Sequence, residues 1–496
     1  MSASVVAGAE QHETWTRDQR FHRFVLTGRA FGMAHATQRP GLSAELALGV
    51  ERDPEWALAE LHKVRSVSPH FNREAFFTVL ARLASHGRMD TPEAQQEAVA
   101  VRRVALEALP ELAKTPEELF CFVTACRGLR GWGPAFKAAI YAWYVSRSPG
   151  ALARIIARVW LREHEWQTID LLRLSHPRMV ASNPKDHERF AAINWLLEGE
   201  RGNASYRKSP NLALLRAVDA AKDGMRDAEE LAKRVRKGRL TFEMLPQPVC
   251  YAPHAAVAAS LENMTAPTIL REPNYVNAAV EQQPEAGEGL ALALRECYVN
   301  PMTFMLAPRT PKTASIYDRA FDESPPKPLL RAVLFAIECT PRMGELASNA
   351  LTAREVACAW AAMYARRTPQ HTVVGFDGFG YFDMTARFRE ERLEELVKLC
   401  LGMASSALAD LDQPLRAAKD FGHSRLVILA STCTWSPRHV YPSTLYHVDR
   451  LAALALCGAR QPQPPDDPRR LDISGIAGDT PELVRAHLDA NPGICR

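Results

Sequence analysis

The sequence predicts two architectures in one chain: a stack of amphipathic helices, then an α/β domain with a parallel, doubly wound sheet. Three observations carry this. Residues 15–300 show apolar positions at three- and four-residue spacing, helix after helix. Residues 307–328 are punctuated by Pro308, Pro311, Pro325, Pro326 and Pro328 and read as a linker. Beyond them, short apolar runs alternate with helical stretches. The predicted units are therefore 1–306, the linker 307–328, and 329–496.

In chain order, segments 45–50, 53–64, 73–85 and 91–108 are helices. Asp53-Pro54 and Thr91-Pro92 each place a capping side chain before a first-turn proline, and Thr115-Pro116-Glu117-Glu118 repeats the device. Such helices joined by short links stack as an α-solenoid, although no strict repeat period is visible. In the element 131–144, Gly133 suits an N-cap and Pro134 the first helical position. Phe136, Ala139, Ile140, Trp143 and Tyr144 then form one apolar face, with Lys137 off it. The next helix, after Pro149-Gly150, buries Leu152, Ile155, Ile156 and Val159. In the second half, strands are expected at 330–338, 371–376, 381–385, 426–431, 451–457 and 471–476. Helices are expected at 352–366, 391–401, 415–419 and 481–489, with a proline-rich loop at 461–470.

A chain of 496 residues needs more than one core, and its 47% hydrophobic and 24% charged content is ordinary for a globular protein. No apolar run approaches the length that spans a bilayer, and the N-terminus lacks a secretory-signal pattern. Ten scattered cysteines without a C-x-x-C pair point to reduced thiols and a cytoplasmic protein, not to disulfides or zinc. The net charge is only +4, so nucleic-acid binding would need a local patch. Residues 129–179 supply one: eight basic residues stand against three acidic. Arg154, Arg158 and Arg162 recur every four residues, a guanidinium ladder about 12 Å long if the helix continues through them. Phosphates along a strand would meet such a ladder bidentately. A solvated face paired with neighbouring carboxylates is the plainer reading. The cluster Lys233, Arg234, Arg236, Lys237 and Arg239 sits at a helix end, where the dipole favours cations. Trp132, Trp143 and Trp166 have apolar spacing and read as core more readily than as stacking platforms for bases. No phosphate-cradling glycine loop, nucleophile elbow or metal-ligand spacing supports enzyme chemistry.

Arg130-Gly131-Trp132-Gly133, the helix ending Ala142-Trp143-Tyr144, and Leu171-Leu172-Arg173-Leu174-Ser175-His176 with Trp166 before it together resemble the TROVE-domain family, that of the Ro autoantigen and its bacterial relatives. Arg20-Phe21-His22-Arg23-Phe24-Val25, Asn263-Met264-Thr265 with Ile269-Leu270-Arg271, and Val299-Asn300-Pro301 extend the resemblance over nearly the whole chain. It implies a ring of HEAT-like helical repeats closed by a von Willebrand factor A-like domain. It also implies binding of Y-like small noncoding RNA on an outer basic surface, and of single-stranded or misfolded RNA 3′ ends in a central hole, in RNA quality control or stability. His176 and Arg173 are candidate contacts by motif, Arg130 and Lys137 by position. Counted back from Trp166 without gaps, Val159, Leu161 and Glu163 stand where the family often has basic residues; a one-residue shift puts Arg158 and Arg162 there. Arg154 and Arg178 complete the candidate set. His176, before Pro177, equally suits a helix-ending histidine bonded to its own carbonyls. A monomer is expected, with an exoribonuclease as a conceivable protein partner and no membrane.

The A-like domain departs from the family pattern. Its metal site needs Asp-x-Ser-x-Ser after the first strand, with Thr and Asp on later loops. Here Glu338-Cys339-Thr340-Pro341-Arg342 follows that strand, Asp410 stands near the Thr position, and Ser431 ends a later strand where Asp belongs. Glu338, Thr340, Arg342, Asp410 and Ser431 thus read as a degenerate remnant that binds no metal, with Arg342 pairing with Glu338 or Asp410 in place of the ion. The resulting expectation is an RNA-binding ring protein, not an enzyme. The rivals are an interaction scaffold that has lost RNA binding and an RNA-processing enzyme.

Overall fold

A computed structural model describes the chain except residues 1–15, 30–33, 36–39, 41, 68–70, 88–90, 163–164, 176–183, 199–206, 296–299, 325, 349–350, 368, 404–407, 433–446, 459–468, 478–479 and 490–496. The helix starts follow their local signals. Thr115 caps the helix Pro116–Leu129 in a reciprocal box with Glu118. Gly133 and Pro134 open Pro134–Val145, which buries Phe136, Ala139, Ile140, Trp143 and Tyr144 as the periodicity requires. Thr352 and Glu355 form a second reciprocal box at Ala353–Ala365.

The α/β domain is built on a seven-stranded sheet in the order β1-β7-β6-β5-β2-β3-β4. The strands are β1 (Ala34–His35), β2 (Leu334–Glu338), β3 (Thr372–Phe376), β4 (Tyr381–Asp383), β5 (Arg425–Ala430), β6 (Arg450–Ala455) and β7 (Arg470–Ser474). All pair in parallel except the edge strand β4, which runs antiparallel to β3. Gly375 of β3 faces Phe382 of β4, and a Cβ there would lie 2.1 Å from the Phe382 ring, so this close approach requires glycine. Strand alternation sends side chains to two faces. Leu334, Ala336, Leu426 and Ile428 pack with Leu415 and Ala418 of the helix Asp412–Asp420. Phe335, Ile337, Val427 and Leu429 face the helix Ala353–Ala365 and join a core that runs without a break into the helical stack.

Two expectations fail here. The segment 307–328 is largely the helix Pro311–Glu323, with Thr313, Tyr317, Ala320 and Phe321 buried. Prolines break a helix in its interior, but Pro311 occupies the first helical position, and the Thr313 hydroxyl accepts from Thr310 N at 2.9 Å. The second is β1, in a stretch with no strand signal. It pairs Ala34 with Ile473 and so carries the start of the chain onto the sheet near its end.

The helical stack is thereby tied to the α/β domain at both ends. At its beginning, β1 joins β7, and an Arg23 guanidinium N–H donates to the Arg470 carbonyl at 3.2 Å. At its end, Asn300 caps Pro301–Leu306 by accepting from Met302 N at 3.0 Å, and its amide donates to Glu482 of the helix Thr480–Asp489 at 3.3 Å. Asn300→Ala removes a cap and this tie together. A loss of about 1–2 kcal/mol in urea denaturation is expected; an unchanged midpoint would show that the closure does not use this contact.

Candidate nucleic-acid interface

The basic stretch divides once its side chains are placed. The helix carrying Arg154 ends at Ala157, and Arg158 is its C-cap at φ −79°, ψ 60°. A ladder over Arg154, Arg158 and Arg162 therefore does not form. The spacing requires the helix to run about two turns from Arg154 to Arg162, but the chain leaves it after Ala157 and turns inward at Leu161, which is 2% exposed.

Arg158 is withdrawn into a four-charge cluster. Its guanidinium donates to Glu117 at 3.2 Å and to Glu243 at 3.1 Å, with a second, closer bond from Nε to Glu243. Arg271 completes the cluster, reaching Glu243 at 2.8 Å and also bonding Glu117. Glu117 and Glu243 are each 4% exposed. Burial by itself would raise the Glu117 carboxyl, but Arg271 and Arg158 outweigh it and hold the pKa at about 2, against an ordinary 4.5. Burial would likewise lower Arg158, yet Glu243 and Glu117 raise it. Arg271 belongs to the Ile269-Leu270-Arg271 motif, so that motif's arginine serves the fold. Sequence reasoning missed the cluster because its members lie up to 154 residues apart.

Arg130 is also engaged. Its guanidinium donates to the Ala84 carbonyl and lies 5.7 Å from the Phe136 ring centre. Burial first, and then the like charge of Arg102, lower its pKa. Arg147 donates to Ala113 O at 2.7 Å beside the Trp143 indole N–H, which bonds the same oxygen at 2.7 Å. Trp143 is fully buried and Trp166 is 8% exposed. Trp132 packs edge-on to Trp166 at 5.5 Å, so these rings build the core. In the second basic cluster, Arg234 pairs with Glu230 at 2.7 Å, as a solvated helix end would.

What remains outward is a smaller set. Arg154, Arg162 and Arg173 are exposed and Lys137 is half-buried. Among the described residues none of the four has a carboxylate partner. Arg173 stands on the outer side of the helix Thr168–Ser175, whose Thr168, Leu171, Leu172 and Ser175 are buried. His176 and Arg178 lie outside the described residues.

The residues read as a remnant metal site are engaged in hydrogen bonds or turned to solvent. Glu338, 2% exposed, accepts from Ser431 N at 2.7 Å, from the Ser431 hydroxyl at 3.0 Å and from the Thr340 hydroxyl. Asp410 accepts from Asp412 N at 3.0 Å and Gln413 Nε2 at 3.1 Å at the start of the helix Asp412–Asp420. Arg342 does not pair with Glu338 or Asp410 as expected. It lies in the turn Pro341–Gly344, where Met343 alone is buried, and points to solvent. With the Glu338 and Asp410 carboxylates occupied by donors and Arg342 turned to solvent, these residues do not fit a divalent ion.

Two outcomes follow. Because folding depresses the Glu117 pKa, the cluster contributes fully above about pH 4.5 and is lost as pH falls toward about 2. This is worth on the order of 3 kcal/mol. Glu117→Gln should flatten the acid limb of a melting-temperature profile, and Arg271→Met should cost about 3–5 kcal/mol near neutral pH by leaving a buried carboxylate uncompensated. Secondly, millimolar Mg²⁺ should leave the melting temperature where EDTA leaves it; a rise of several degrees with Mg²⁺ would reveal a divalent site.

No protein-family model matches the chain. It is similar to the RNA-binding protein RO60 of Caenorhabditis elegans, 28% identical over 134 residues, covering 23% of this chain and 21% of that protein. It is also similar to the RNA-binding protein RO60 of Deinococcus radiodurans, 25% identical over 220 residues, 41% of this chain and 40% of that one. The matched stretches thus span about a fifth and two fifths of these relatives' lengths. The fold matches the crystal structure of the Deinococcus radiodurans Ro protein with a TM-score of 0.75 and 18% identity, over 96% of this chain and 99% of that one.

Proposed function

We propose that this chain, which belongs to the Ro family, is an RNA-binding ring protein that holds a Y-like small RNA on its outer basic surface and takes single-stranded or misfolded RNA 3′ ends into a central hole. Its role is then recognition in RNA quality control or stability. The observation that carries this reading is the likeness of fold along almost the whole chain to a Ro protein, joined with sequence similarity to two proteins named for binding RNA. The outward cations add to it. Arg154, Arg162, Arg173 and Lys137 lie within the basic stretch 129–179 and, among the described residues, are not consumed by carboxylates, unlike Arg158. Affinity would rest on phosphate neutralisation, with shape and single-strandedness setting preference. His176 and Arg178 are further candidate RNA contacts in this proposal, on their place in the sequence. No helix among the described residues is long and apolar enough to cross a membrane.

A gel shift against the small-RNA pool of the host tests this. Raising salt from about 50 to 200 mM should weaken binding roughly ten- to a hundredfold for three or four neutralised phosphates. The triple variant Arg154→Glu, Arg162→Glu, Arg173→Glu should weaken it at least tenfold more at low salt. Absence of salt-sensitive binding would favour an interaction scaffold. Progressive cleavage of a labelled RNA would favour a processing enzyme. Either would sink the proposal.

A further inference from the structure

A second surface lies beside the basic stretch and has a different chemistry. Between the helices Pro92–Glu107 and Pro134–Val145 runs an open groove of about 650 Å³. Its floor on one side is Ala135, Ala138 and Ala142, all exposed; Val99 and Leu106 form the facing wall. Val99 is half exposed, at 50%. The alanines fall at i, i+3 and i+7, a run of about 10 Å along one helix face. Small side chains at this spacing let another helix approach closely, and the opposite wall repeats with the same seven-residue step.

One end of the groove is cationic. Arg102 and Arg130 both line it. Each is held by carbonyls at the C-terminal end of the helix Arg73–Ala84: Arg102 by His86 O at 2.7 Å, Arg130 by Ala84 O. Among the described residues neither has a carboxylate partner. Pro110 and Ala142 mark the other end, where Arg147 reaches Pro110 O at 3.4 Å. Arg103 and Glu107 line the groove too and pair with each other at 3.9 Å, so the guanidiniums without a carboxylate are Arg102 and Arg130 at one end, beside the apolar surface of Ala135, Ala138, Ala142, Val99 and Leu106.

We propose that this groove docks an amphipathic helix of a partner protein, its apolar residues at i, i+3 or i+4 and i+7 laid on the alanine face and an acidic side chain held between Arg102 and Arg130. The charge complementarity is local: Arg103 is already paired with Glu107, whereas Arg102 and Arg130 have no carboxylate among the described residues. An RNA strand fits poorly, because its evenly spaced phosphates would lie against the Glu107 carboxylate as well as alanine, valine and leucine. Helix-in-groove recognition with apolar anchors and one charge-assisted contact fits these walls.

The test uses the full chain and a display library of 16-residue peptides with apolar residues fixed at i, i+3, i+4 and i+7 and the remaining positions random. Selection should enrich Asp or Glu near one end of the peptide. Ala138→Trp, which fills the groove from an exposed position, should weaken the selected peptides at least tenfold by fluorescence anisotropy, and so should Arg102→Glu. Val99→Glu provides a second groove block at an exposed site, and circular dichroism checks that each variant is folded. Arg154→Glu and Arg173→Glu should leave peptide binding unchanged. Binders indifferent to both Ala138→Trp and Val99→Glu, or no enrichment over selection against the blocked variants, would overturn the proposal. Displacement of the peptide by single-stranded RNA, with Arg102→Glu weakening the RNA, would assign the groove to nucleic acid and overturn it equally.

Discussion

The buried cluster of Glu117, Arg158, Glu243 and Arg271 is the constraint on which the helical body depends. In a stack of helices each element touches mainly its neighbours, so nothing local decides how far the stack curves. The cluster supplies a long-range tie. It joins the first turn of Pro116–Leu129 to the end of Pro149–Ala157, to the short turn Phe242–Met244 and to the residue two beyond Ala266–Ile269. Two carboxylates and two guanidiniums balance in charge, and each carboxylate meets both guanidiniums. Desolvation makes each charge costly on its own, so the cluster tolerates little rearrangement.

The second constraint is the sheet. Its alternating side chains serve two cores, one closed by Asp412–Asp420 and one continuous with the helical stack. With β1 paired to β7 at one end and Asn300 bonded to Glu482 at the other, the α/β domain closes the helical body on itself. Within the domain, Glu338 now links the end of β2 to Ser431, just past β5. The Glu338 carboxylate thus holds two parallel strands together at their carboxyl ends.

These ties explain why the basic stretch yields fewer outward cations than its composition promises. Arg130, Arg147 and Arg158 are spent on carbonyls or buried carboxylates, all within one helix length of exposed arginines. Charge counting cannot separate the two classes, because an arginine bonded to a backbone carbonyl and one facing solvent look alike in sequence. The same limit hid the alanine groove. Ala135, Ala138 and Ala142 read as unremarkable helix formers until the Pro92–Glu107 helix is set across from them.

What the sequence determined by itself is what short-range chemistry controls. Thr115 with Glu118, Gly133 with Pro134, and the five apolar residues of Pro134–Val145 specify helix starts and buried faces within a few residues of themselves. The parallel strands were legible for a related reason: burial on both faces leaves continuous apolar runs. Tertiary structure alone decided where the helix of Arg154 stops, that Pro311 begins a helix, and that Ala34 pairs with Ile473. It also decided which arginines remain free. The Arg158 and Ala34 contacts join partners tens to hundreds of residues apart, and no local propensity encodes that distance; at Pro311 the local cap was present, but a proline reads equally as a breaker until the helix's buried face has a partner.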